Sequence, residues 1–173
     1  MANNGDTFTV QLNQSQLEWG TFRFTGSRGL RYGEGYLKIP KHVARTLQLF
    51  NGNYTNGIDI PGKNIFHATS ADGLFNGPLR SEGCSNAGDP YAKQFAGDKN
   101  LMALGCWYAQ INAQVGDSIR VTFTSPSDIV IVALQVSKQC PRTYSSAFCL
   151  LEAHPLRMAS SMPSYALFFI FLL

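Results

Sequence analysis

The chain has no cysteine pair, no membrane-length apolar run and no recognisable leader. Its four cysteines, Cys84, Cys106, Cys140 and Cys149, are widely spaced without a CxxC pair, which argues against zinc or a disulfide framework and for reduced thiols. The start, MANNGDTFTV, lacks a basic end followed by an apolar stretch, so it does not read as a secretory signal. A cytoplasmic protein is expected, with the sequons at Asn13 and Asn53 unmodified. The apolar end YALFFIFLL is far short of the roughly twenty residues that cross a bilayer, so no membrane partner is expected.

Glycine also runs out: all sixteen lie at or before Gly116, and no aspartate follows Asp128. This change of composition places one domain over residues 1–136 and an atypical tail over 137–173, either poorly ordered or the beginning of a truncated extension. A chain of 173 residues with 45 % hydrophobic content supports one well-filled core.

Motifs for catalysis are missing as well. Metal-dependent nucleases of the common kind need a carboxylate two residues before a lysine. Two residues before Lys38, Lys41, Lys63, Lys93, Lys99 and Lys138 stand Tyr36, Ile39, Pro61, Tyr91, Gly97 and Val136. His42, His67 and His154 are followed two positions later by Ala44, Thr69 and Leu156, so the His-x-Lys pattern fails too. There is no G-x-S-x-G, P-loop or HExxH, and Gly33-Glu34-Gly35 lacks the third glycine of a dinucleotide fingerprint. No catalytic residue, metal site or cofactor is expected. His67, within NIFHAT, reads as a hydrogen-bonded strand residue, and Asp59 as a turn or strand-end residue.

What is present is period-two patterning. Phe8, Val10 and Leu12 alternate with polar residues, as do Phe22 and Phe24, Leu37 and Ile39, Ile58 and Ile60, and Ile119, Val121 and Phe123. Turn signals separate these runs: SRGLRYGEG, NGNYTNG, Asn76-Gly77, SNAGDP and Gly116-Asp117. The pattern predicts a mainly β meander or barrel with little helix. One short amphipathic helix should begin at Pro40, burying Val43, Leu47 and Phe50 with Ala44 beside them. A second helical turn is indicated around Leu101 to Leu104, although Gly105 and the pair Trp107-Tyr108 also suit a strand.

Net charge is +3, yet Arg23, Arg28, Arg31, Lys38, Lys41 and Arg45 gather at the strand-to-helix junction around YGEGYLKIPKHVARTLQLF against a single acid, Glu34. Charge alone leaves two readings open, a solvated barrel rim and an anionic partner. Two features favour the partner. Arg28 and Arg31 sit in a loop bracketed by Gly26, Gly29, Gly33 and Gly35, and arginine is well shaped for guanine edges and phosphates. Lys41 and Arg45 lie on the adjoining helix, whose first-turn amides offer further donors to phosphate. The neighbouring aromatics Trp19, Phe22, Phe24 and Tyr32 read as core rather than as a base-stacking platform.

The order of FRFTG, an arginine-bearing loop, GYLKIPKHVARTL and a late GDSIRVTF resembles the DNA-binding pseudobarrel family that includes plant B3 domains and the N-terminal effector domain of EcoRII-type restriction endonucleases. The resemblance covers roughly residues 20–131. The strand-I-P-K-helix signature is also similar to the smaller swapped-hairpin transcription factors of the AbrB type, but the stretch from Asn51 to Gln114 suits the larger fold. The resemblance implies a pseudobarrel of about seven strands with one or two short helices, gripping double-stranded DNA with two arms. The first arm maps onto residues 27–34, giving Arg28, Arg31 and Tyr32 the reading role, supported by Lys38, Lys41 and Arg45. The second falls within residues 75–99, where Asn76, Arg80, Ser81, Asn86, Lys93, Gln94 and Lys99 are the available donors, beside Glu82, Asp89 and Asp98. The chain would then be the recognition module of a bacterial type II restriction endonuclease system, with catalysis in a nuclease domain or subunit. The competing reading is a β-barrel module for carbohydrate or protein, with Trp19, Tyr32, Tyr54, Trp107 and Tyr108 as the contact surface.

Overall fold

The structure is a computed structural model that describes residues 1–23 and 28–135, within a compact unit spanning Met1–Ser137. The expectations for the tail, and for Phe24, lie outside the described residues. Seven strands form one sheet: β1 (Thr7–Gln11), β2 (Leu37–Lys38), β3 (Ile65–Ser70), β4 (Asn76–Glu82), β5 (Gln94–Gly97), β6 (Ser118–Phe123) and β7 (Asp128–Leu134). Their spatial order is β1-β6-β7-β3-β4-β5-β2. All pairings are antiparallel except β3 with β7.

Alternation places one face of each strand inward. Phe8 and Val10 of β1 stand opposite Val121 and Ile119 of β6, Val121 and Phe123 oppose Ile131 and Ile129 of β7, and Phe66 of β3 opposes Leu79 of β4. At the far edge Leu37 of β2 pairs with Phe95 of β5. Both edge strands feed the same buried cluster, so the sheet coils around one core as a nearly closed pseudobarrel instead of lying flat. Phe66 holds the centre, with Phe95 and Phe123 meeting it edge-on at 5.3 and 5.9 Å between ring centroids.

Four short helices accompany the sheet: α1 (Gln14–Leu17), α2 (Trp19–Phe22), α3 (Lys41–Thr46) and α4 (Ala103–Gln110). Helix α3 stands where the pattern placed it and buries Val43 and Ala44, with Leu47 just beyond its end. Pro40 is its cap residue, at φ −59° and ψ 138°, one position outside the helix. Trp107 and Tyr108 are helical and buried in α4, not in a strand.

Two expected strands are absent. Phe22 belongs to α2, with the amides of Thr21 and Phe22 bonded back to the Glu18 carbonyl. It is 57 % exposed, and the residue buried in this segment is Trp19. Ile58 and Ile60 lie in a loop because the Asn64 side chain does the work of a neighbouring strand: its amide donates to the Ile58 carbonyl at 2.8 Å and its oxygen accepts from the Ile60 amide at 2.6 Å. Ile58 is left 64 % exposed.

At the β3–β4 turn the Asp72 carboxylate accepts from the Ser70 hydroxyl, from the Leu74 amide at 2.8 Å and from Trp107 Nε1 at 3.1 Å. It thereby ties the hairpin to α4. These bonds, that of Ser70 foremost, hold the Asp72 carboxyl below its ordinary range. The contribution is present above the unfolded carboxylate pKa and lost as pH falls through the lower folded one. Asp72→Ala leaves the indole N–H of a buried tryptophan unsatisfied, and thermal melts at neutral pH should show a loss of about 1 to 3 kcal/mol.

Candidate nucleic-acid interface

The glycine-rich loop runs over residues 28–35 and is fastened to α2 at its middle and near its exit. The Trp19 amide donates to the Glu34 carbonyl at 3.0 Å and the Arg31 amide to the Gly20 carbonyl at 3.4 Å. A Cβ on Gly20 would stand 2.0 Å from the Arg31 carbonyl oxygen, so the close approach requires glycine. Beneath the loop the buried Glu34 carboxylate accepts twice from Arg28 Nη2, at 2.5 and 2.7 Å. Arg28 therefore turns inward onto Glu34 and fixes the base of the loop, whereas the sequence reading gave it a base-reading role. Leu30, Arg31 and Tyr32 remain at the exposed tip, with Tyr32 76 % exposed.

Beside this loop lies a cleft of about 310 Å³. Lys38 of edge strand β2 stands directly opposite Gln94 of β5; Lys41 opens α3 and Lys93 leads into β5. All four line the cleft together with Asn13 and Ser85, and Trp19 and Tyr36 wall it, at 5.2 Å between ring centroids. No carboxylate lines it among the described residues. Arg23 lies over the Trp19 ring at 4.1 Å from the centroid. Arg45 joins Lys41, His42 and Thr46 in an adjoining shallow depression. Glu82, the nearby acid, feels both Arg23 and Arg80, yet burial raises its carboxyl above the ordinary range.

The remaining second-arm residues do not converge on this cleft. Arg80 Nη1 donates to Asp59 at 2.7 Å and its Nε to Asp98 at 2.8 Å, so its charge is matched within the fold. That hydrogen bond holds the Asp59 carboxyl below its ordinary range. Ser81, expected as a donor, is buried with its hydroxyl on the Phe50 carbonyl at 2.5 Å. Asn76 and Lys99 sit at the end of the β4–β5 hairpin remote from its connecting loop, because Leu79 pairs with Gly97. Of the stretch read from sequence as the second arm, Ser85, Lys93 and Gln94 line the cleft. Asn13 and Ser85 were missed, having no charge or motif to mark them.

Of the aromatic surface in the competing reading, Tyr32 and Tyr54 are exposed and the other three are not. Trp19, Trp107 and Tyr108 are buried, and Tyr54 stacks on Phe50 at 3.8 Å between ring centroids. Among the described residues no group of three His, Cys, Asp or Glu could hold a metal ion. No described helix is long and apolar enough to cross a membrane.

No protein-family model and no curated relative matches this chain. Among solved structures it is similar to the N-terminal domain of Helicobacter pylori LlaJI.R1, at 9 % identity over 77 % of this chain and 83 % of that one, with a TM-score of 0.45. It is similar to FUS3 in the Arabidopsis FUS3–DNA complex, at 16 % identity over 75 % and 97 % of the two chains, TM-score 0.46. It is also similar to the hypothetical Arabidopsis thaliana protein At1g16640.1, at 11 % identity over 77 % and 94 %, TM-score 0.40. The strand order, register and shared core carry the fold assignment by themselves.

Proposed function

We propose that this chain binds double-stranded DNA sequence-specifically, as the recognition module of a restriction system whose nuclease domain or subunit supplies the chemistry. The observation that supports this is the carboxylate-free cleft with Lys38, Lys41 and Lys93 beside a firmly rooted loop that displays Arg31. Lysines at the cleft position the duplex through its phosphates, while Arg31 and Tyr32 enter the groove and meet base edges. Ser85, Lys93 and Gln94 belong to the opposing arm.

Binding of labelled duplexes, first random and then selected, tests the reading. Affinity should fall steeply between low and moderate salt as counterions compete. Arg31→Ala should lose about 1 to 3 kcal/mol at one base pair and relax preference there. Lys41→Ala should weaken all duplexes alike and shallow the salt slope by about one unit. Affinity that is indifferent to salt, or an Arg31→Ala protein with unchanged sequence preference, would overturn the reading.

A further inference from the structure

The floor of the cleft is a buried, neutral amide. Gln94 is only 5 % exposed, and its side chain has no hydrogen-bond partner among the described residues. Its amide atoms are not sealed in, since among the described residues Arg28 Nη1 is the buried side-chain atom left without a partner, so the Gln94 amide opens onto the cleft that it lines. Here the surroundings point the same way. Gln94 has Lys38 of β2 opposite it on one side and the half-buried Glu82 of β4 on the other; Lys38, Lys41 and Lys93 line the cleft while Glu82 does not, and none of the three lysines forms an ion pair among the described residues. Three ammonium groups around one cleft repel one another until an anion enters.

Resting on the DNA-binding reading, we infer that this cleft is a seat for a single phosphate group, with the Gln94 amide as the floor donor and Lys38, Lys41 and Lys93 as the rim. A phosphate offers several acceptor oxygens at once, which suits one amide and three flexible ammonium donors better than a carboxylate does. In the bound duplex the phosphate is one backbone diester. Gln94 then acts through position and not through sequence, and the Arg31 loop keeps the reading role.

The side-chain amide signals of Gln94 in the full-length, ¹⁵N-labelled chain provide the test, assigned by their disappearance in Gln94→Met. Inorganic phosphate should shift them where chloride at matched ionic strength does not, and duplex DNA should shift them too. Gln94→Glu, which puts a carboxylate against the phosphate, should weaken binding of all duplexes by roughly tenfold or more. Gln94→Met should weaken it by about two- to fivefold with the salt slope unchanged, because no charge is lost. Signals unmoved by either phosphate source overturn the inference, as does a folded Gln94→Glu chain that binds like the parent. Signals that respond to inorganic phosphate in a chain that binds no duplex support the seat and refute the DNA reading. Duplex binding that leaves Gln94 unmoved supports the DNA reading and refutes the seat.

Discussion

Arg28→Met should cost about 3 kcal/mol of folding stability, the lower end of the range for removing one partner of a buried ion pair. The Glu34 side chain is 3 % exposed, and among the described residues its carboxylate accepts two hydrogen bonds, both from Arg28 Nη2. Deleting the guanidinium leaves a charge without a partner in a place that water hardly reaches. The Glu34 backbone is also bonded to Trp19, so the carboxylate cannot swing out without loosening the root of the loop. Adding Glu34→Gln to Arg28→Met removes the stranded charge and should return much of the loss. Urea unfolding of the parent, the single and the double variant measures this directly. An Arg28→Met chain with an unchanged midpoint would refute the latch. In the proposed interface the single variant should also discriminate less well between duplexes, since Arg31 then stands on a loop without a fixed base.

Gly105→Ala should lower the melting temperature by about 5 °C or more, corresponding to an overpacking cost of roughly 1 to 3 kcal/mol. The sign runs against local propensity, which favours alanine over glycine inside a helix by up to about 1 kcal/mol. A Cβ at Gly105 would stand 2.1 Å from the Gly33 carbonyl oxygen and 3.1 Å from the Gly35 amide nitrogen. Both neighbours are backbone of the loop and its exit, so neither can rotate away. Helix α4 must retreat, or the loop must lift from α2. Gly20→Ala on the other side, with its Cβ 2.0 Å from the Arg31 carbonyl oxygen, should act in the same direction. Calorimetry showing a raised melting temperature for Gly105→Ala would mean that helix and loop do not meet as described.

The period-two runs of β1 and β6 and the i, i+4 pattern of α3 were legible in the chain because a regular element exposes one face to a common core. Their apolar residues are buried as the spacing demands. The gathering of cations around residues 23–45 was legible for the same kind of reason, being a property of composition over a short window. The failures are also physical. The first residue of FRF looked like part of a strand because alternation over three residues is too short to fix a period, and Phe22 is instead helical and exposed while Trp19 is buried. Ile58 and Ile60 alternate without a partner strand because the side chain of nearby Asn64 takes over their backbone groups.

Sequence by itself thus determined a mainly β chain with a basic junction, since periodicity and local charge density are properties of neighbouring residues. Tertiary structure decided which of those charges are free. Arg28 and Arg80 look like Arg31 on paper, but packing placed Glu34, Asp59 and Asp98 against them, whereas Lys38 and Lys41 of one junction were brought together with the distant Lys93 at one cleft without a carboxylate among its described lining. Coulomb energy depends on distance and burial through space, and neither can be read from separation along the chain.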